Sequence, residues 1–122
     1  MSKFCSNPVF DAALAKVSTA TRMVGVAGQP ASYTAADTGR LTEAATVAGD
    51  FTVANGDISG RKVSVAAKSG LAVIAAGTVD HIALLDGVSS TLLYVTTCPA
   101  QAIVAGGTVS LASWAIEINQ PV

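Results

Sequence analysis

The sequence predicts an all-β protein: a β-sandwich, plausibly jelly-roll-like, of seven to eight short antiparallel strands with one short N-terminal α-helix. Three observations carry that expectation. Past residue 20 the apolar pattern switches from a helical period to a period of two, turn residues recur every 8–12 positions, and Ala and Val outnumber Leu and Ile, with 23 Ala and 15 Val against 8 Leu and 6 Ile. With 122 residues the chain forms one domain, residues 1–122, and it repeats at no fixed period, which excludes a propeller or solenoid. Alternation alone does not separate a jelly roll from an immunoglobulin-like sandwich.

The helix is expected at about residues 8–18. Asn7 can cap it, Pro8 suits a first turn that needs no N–H, and Val9, Phe10, Ala13, Leu14 and Val17 fall on one face. Asp11 and Lys16 face the other way, with Asp11 placed to favour the helix dipole. Strands follow from about 21 to 119. Thr21 to Ala27 forms the first, Gly28-Gln29-Pro30 breaks it, and Tyr33 to Gly39 reads as a polar loop. Leu41 to Ala48 is a weakly patterned strand, Phe51 to Ala54 another, and Asn55-Gly56-Asp57 a tight turn. Arg61 to Ala67 alternates, Ser69-Gly70 turns, and Leu71 to Ala76 continues as a buried run. Thr78 to Leu85 and Thr91 to Thr97 make a hairpin that Cys98-Pro99 should end, because proline cannot donate to a ladder. After Gly106-Gly107 one final strand runs from Thr108 to Ile118.

Composition excludes several functions. The chain is 51% apolar and 12% charged, far from the composition of disorder, and its net charge of −1 supplies no basic stripe for nucleic acid. The longest apolar run, Leu71 to Ala76, is too short to cross a membrane, and Asp11 and Lys16 interrupt the stretch where a signal peptide would be apolar. Cys5 and Cys98 are too far apart for a metal pair or a disulfide framework and read as reduced thiols, which suits a cytoplasm. Four Lys and two Glu are few for a free β-domain, so much of the surface is expected to be covered in an oligomer or assembly.

No constellation promises chemistry. Asp37-Thr38-Gly39 matches the triplet of dimeric aspartic proteases, but it follows no strong apolar strand and Arg40 stands where a small residue belongs. His81 is the sole histidine; next to Asp80 in a strand it should point to the opposite face, and a pair with Cys98 lacks any group to activate the thiol. No metal-ligand spacing or nucleotide-binding glycine motif occurs, so the chain is expected to be no enzyme and to take no cofactor, metal or small-molecule substrate. The six aromatics, Phe4, Phe10, Tyr33, Phe51, Tyr94 and Trp114, are scattered and read as core or interface anchors.

Whole phrases of the sequence do resemble a family. Gly49-Asp50-Phe51-Thr52-Val53-Ala54-Asn55-Gly56-Asp57-Ile58-Ser59-Gly60-Arg61-Lys62-Val63, Leu92 to Thr97 with Gly106-Gly107-Thr108-Val109 and Trp114 to Ile118, and Asn7-Pro8-Val9-Phe10-Asp11-Ala12-Ala13-Leu14 are similar to small virion proteins encoded among the head genes of tailed bacteriophages. The resemblance implies a capsid decoration, or cement, protein, bound as a trimer or dimer on an icosahedral shell and bridging major capsid subunits. It implies a virion location after synthesis in the host cytoplasm. A tail- or fibre-associated structural protein, or a small β-sandwich binding module, shares the same composition. If the cement reading holds, the segment from Met1 to Phe10, with Phe4, Pro8 and Phe10, should meet the shell or a neighbour; alternatively the helix only plugs an open end of the sandwich.

Overall fold

A computed structural model describes residues 3–121. It is an antiparallel β-sandwich with an N-terminal helix, as expected, although the described residues form nine strands where seven or eight were predicted. A four-stranded sheet of order β2-β1-β6-β7 is its main layer, built from β1 (Arg22–Val26), β2 (Arg40–Ala45), β6 (Gly77–Asp86) and β7 (Thr91–Ile103). Facing it is a three-stranded sheet of order β3-β4-β9, from β3 (Phe51–Asn55), β4 (Arg61–Val65) and β9 (Trp114–Ile118). At one end β5 (Lys68–Ala72) pairs with β8 (Thr108–Leu111), and a single bridge, Thr42 to Val73, ties this ribbon to β2.

Register decides which residues become core. Pairing β1 with β6 sets Met23 opposite Leu84 and Val24 opposite Ala83, so alternate pairs face alternate sides of the sheet. One side holds Met23, Ile82 and Leu84, which pack with Val63, Val65 and Ile116 of the second sheet and with Leu14 of the helix. The other side holds Val24, Val26, Ala83 and Leu85 beneath Ala36 and Tyr33. Gly25 makes the β1–β2 seam possible: a Cβ there would lie 2.9 Å from Thr42 Cγ2.

The helix α1 (Asn7–Val17) starts one residue early, with Ser6 rather than Asn7 at its N-cap. Only Phe10 and Leu14 are buried and Val17 is half-buried, while Val9 and Ala13 face solvent. The helix thus touches the core through one narrow stripe. Asp11 lies past the first turn and pairs with Arg61 at 2.8 Å rather than serving the dipole.

Five other expectations need correction. Residues read as a polar loop form a short helix, α2 (Tyr33–Thr38), because Ser32 caps it by accepting the Ala35 N–H and Ala36 has an apolar patch to cover. Ser69-Gly70 is not a turn between strands but part of β5, where Gly70 at φ +65° accompanies a shift of register. Of the Leu71–Ala76 run only Val73 is buried, since the β5–β8 ribbon lies at the rim. Cys98-Pro99 does not end β7: Val79 pairs with Gln101 and His81 with Thr97, so residues 98–100 form a bulge opposite Asp80, with Cys98 packed against the core, on an outer strand where a missing N–H costs no ladder bond. The single final strand is two, because the chain leaves β8 at Ala112-Ser113 and joins the other sheet as β9.

Candidate interaction surface

Charge divides this molecule. From Gly87 through Ile116 the chain contains no Asp, Glu, Lys or Arg. That stretch forms β7, β8 and the start of β9. All formal charge therefore belongs to the rest of the molecule, where Arg22 bridges Asp37 at 2.6 Å and also Glu43, and Arg40 binds the same two carboxylates. Lys62 pairs with Asp57 at 2.7 Å and Lys68 with Asp50 at 2.9 Å. Glu117 accepts the backbone N–H groups of Asp57 and Ile58, and Asp86 accepts the Val88 N–H and the Ser89 hydroxyl within its own turn. Among the described residues every carboxylate side chain thus has a partner inside the chain.

The uncharged region carries two grooves. The larger, about 430 Å³, lies between β7 at Thr96–Gln101 and the β8–β9 junction, over Val79 and Ile82. Trp114 forms part of its wall, stacked on Tyr94 with ring centroids 6.0 Å apart and planes 27° from parallel. Its indole N–H is buried without an acceptor, an unusual position for a donor that normally finds one. A second groove of about 390 Å³ lies between Gln101–Val104 and Gly107–Ser110, above Val73. Along this region β7 is an outer strand, paired with β6 on one side only.

The residues weighed for catalysis are placed for structure. Asp37 stands at the C-terminal end of α2, and the Arg22 guanidinium hydrogen-bonded to it holds its carboxyl below the ordinary range, with Arg40 adding to the effect. A carboxylate so neutralised is poorly placed to share a proton with a second one. Asp80 and His81 do meet, against expectation: Asp80 Oδ1 lies 2.7 Å from His81 Nδ1 because the bulge after Val79 breaks the strict alternation of faces. The same oxygen accepts the Gly28 N–H at 2.8 Å, so the carboxylate closes the loop after β1. These two bonds, His81 first, hold Asp80 below its ordinary range. No hydrogen bond joins Cys98 to His81 among the described residues, and burial, followed by the charge of Asp80, pushes the Cys98 thiol up, the reverse of what a nucleophile needs. Groups of three or more His, Cys, Asp or Glu able to hold a metal do not occur among the described residues, and no described helix is long and apolar enough to cross a membrane.

The N-terminal candidates separate. Phe10 is 5% exposed and belongs to the interior, whereas Pro8 is exposed and Phe4 is 81% exposed. Phe4 is not on a loose arm: the neighbouring Cys5 donates its N–H to Gln120 Oε1 at 3.0 Å and its carbonyl accepts from Gln120 Nε2 at 2.8 Å. Gln120 in turn donates its backbone N–H to Ser59 Oγ, next to Ile58, which is 84% exposed. Phe4 and Ile58 are therefore apolar side chains displayed on either side of a fixed clasp. Met1, the start of the expected contact segment, lies outside the described residues. Sequence reading pointed to the N-terminal residues and missed the uncharged side, although the charge-free run from Gly87 was visible in the letters.

No protein family, curated protein or solved structure matches this chain. What the fold and the surface define is a class: a small antiparallel β-sandwich with its described carboxylates paired within the chain and one side bare of charge.

Proposed function

We propose that the protein is a non-enzymatic virion structural protein that decorates the outside of an icosahedral phage capsid, binding across copies of the major capsid protein. The observation that carries the reading is the charge-free side from Gly87 to Ile116, with its free strand edge and its two uncharged grooves, the one beside Trp114 mainly apolar. A freely diffusing domain of this size ordinarily protects such a side with Lys and Glu. Permanent neighbours remove that need. The sequence resemblance to head-gene products gives the neighbours their identity, and the rigid display of Phe4 and Ile58 offers a second contact at the other end of β9.

Such a protein acts by linkage. It binds the assembled shell and not the dissociated subunits, so each occupied site shifts the balance toward the shell, and many sites multiply a modest gain. Nothing in that work calls for a nucleic acid, a membrane, a cofactor or a turnover step. The groups that could have supplied chemistry are engaged otherwise: Asp37 with two arginines, Asp80 with the Gly28 loop, and Cys98 as a protonated thiol.

The test is density-gradient fractionation of a lysate from the cells or infection that produce the protein, with mass spectrometry across the gradient. Co-migration with heads at tens to hundreds of copies is expected. Migration with tails would move the protein to the tail or fibre, and recovery only as free small protein would overturn the virion reading. Deletion of residues 1–6 tests the Phe4 contact separately: the truncated protein should fold and bind heads more weakly, and unchanged binding would leave α1 as a plug of the sandwich.

A further inference from the structure

β7 and β8 follow one another through the short turn at 104–107, yet they do not pair. Val104 accepts the Gly107 N–H at 3.1 Å to close that turn, and beyond it the strands part. Almost all of their Cα atoms lie more than 8 Å apart, where directly opposed residues of paired antiparallel strands lie about 4.5–5.5 Å apart. Both grooves occupy this opening, and Gln101, Val109 and Ser110 line each of them, so the two are one slot.

Every other neighbour around this end of the molecule is joined. β7 pairs with β6, β6 with β1, β1 with β2 and β5 with β8, while β2 meets β5 through the Thr42–Val73 bridge and the bond from the Ile74 N–H to the Leu41 carbonyl at 2.7 Å. These six strands run round a small core of their own, in which Val73, Val79 and Ile103 pack with Leu41, Cys98 and Val109. They make a barrel that lacks one stave, between β7 and β8.

A missing stave leaves backbone groups bare on both banks. On β8 they can be named. Val73 donates its N–H to the Gly107 carbonyl and Val109 stands opposite Leu71, so Gly107 and Val109 turn their backbone groups toward β5, and Thr108 and Ser110 turn theirs into the slot. On β7 the regular stretch Gln101–Ile103 forms the other bank, past the bulge at residues 98–100. Donors and acceptors on two sides call for an extended main chain, which offers the same groups along both of its edges. Neither bank carries a charge, so a charged side chain entering here would find no partner. Val73, Val79 and Val109 along the slot favour small apolar side chains at alternate positions of the entering segment.

We infer that the slot takes a short, extended, uncharged segment of the major capsid protein, which adds as a strand to β8 on one side and to β7 on the other and so closes the barrel. The inference rests on the cement reading and supplies its contact. Because β7 and β8 run in opposite directions, the segment lies antiparallel to one and parallel to the other.

The full-length chain tests it, free and bound to purified heads that lack it. On binding, amide hydrogen exchange at Thr108 and Ser110 should slow at least about tenfold, as bare edge groups become ladder groups. Ser110→Pro removes an N–H that faces away from β5 and sets a ring in the slot. It should keep the melting temperature of the parent chain, since a proline is admissible where the N–H points off the sheet, and bind heads at least about tenfold more weakly. Head binding with exchange at Thr108 and Ser110 as fast as in the free chain, or a folded Ser110→Pro that binds with unchanged affinity, would overturn the slot and leave the cement reading standing. Should Ser110→Pro fail to fold, the exchange measurement on the parent chain decides alone. A chain that binds no heads at all removes the cement reading and the slot with it.

Discussion

β2 and β7 are the two outer strands of one sheet, and they are finished in opposite ways. β2 carries Arg40 and Glu43, which with Arg22 and Asp37 form a four-membered ion network along that edge, and Ile74 donates its N–H to Leu41 so that the β5 segment covers part of its length. β7 carries no charge over thirteen residues and has only two bulges, at Leu93 and around Pro99, to discourage a neighbour. Both strands rest on the same core, so the difference lies in what each edge must do. A charged, covered edge is closed to further pairing, and a bare one is open.

The comparison can be broken at its common base or sharpened at either edge. Leu84 lies at the centre of the sheet, fully buried in the main core cluster, and Leu84→Ala should cost about 3 kcal/mol in chemical denaturation, the usual size for a truncated core leucine. A loss under about 1 kcal/mol would mean that the two sheets are not packed as described. At the β2 edge, Arg22→Met leaves Asp37 and Glu43 sharing Arg40 alone; the network is half-buried, so a loss of about 1–2 kcal/mol is expected, between the values for exposed and buried pairs.

Acid should act on the charged part of the molecule. Asp37, Asp50, Asp80 and Asp86 are all held below the ordinary aspartate value of 3.8, by Arg22, by the Val47 N–H and Lys68, by His81 and the Gly28 N–H, and by Ser89 and the Val88 N–H respectively. A carboxylate whose native pKa is depressed contributes stability that is fully present above its unfolded value and lost as pH falls through the native one. Melting temperature should therefore be level near neutrality and drop below about pH 4. Arg22→Met should flatten part of that drop, because Asp37 then titrates nearer to its unfolded value. A melting temperature indifferent to pH between neutrality and pH 2 would contradict the network.

The smallest effects belong to the β7 edge. Thr97→Lys, at an exposed position, should change stability by no more than about 0.5 kcal/mol. Trp114→Phe removes a buried donor that has no acceptor while keeping a ring against Tyr94, so it should be near neutral in the isolated chain. A loss above about 2 kcal/mol on Trp114→Phe would show that the larger ring is held by packing or by a partner for its N–H that the structure does not show.

Much of the sandwich was legible because each buried strand has to alternate. Arg22–Val26, Phe51–Asn55, Arg61–Val65 and the β6–β7 hairpin stand close to where period and turn residues put them. What escaped were features decided by position in the sheet rather than by local pattern. Pro99 reads as a strand end, and only knowledge that β7 is an outer strand makes it admissible; Ser69-Gly70 reads as a turn, and only the partner β8 turns it into a strand with a shift of register. The six residues of α2 are too few to show a period, and buried Ala36 with half-buried Tyr33 is their contribution to the core. Asp80 and His81 meet because of a bulge that adjacent letters do not reveal. Of the proposed surfaces, Phe4 and Pro8 were named from the sequence, while the pairing of every carboxylate and the groove beside Trp114 needed the fold.

The bare edge also bears on how the chain reaches its fold. The β6–β7 hairpin closes through a short turn at Gly87–Ser90 and can form in microseconds, whereas β1 must bring Met23 to Leu84 across half the sequence, and folding dominated by such distant pairings takes milliseconds to seconds. Until β1 arrives, the hairpin has two naked edges. One is soon sealed by the rest of the chain. The other stays adhesive in every newly made copy, so the yield of correctly folded protein should fall with the local concentration of nascent chains, and slow synthesis should favour it.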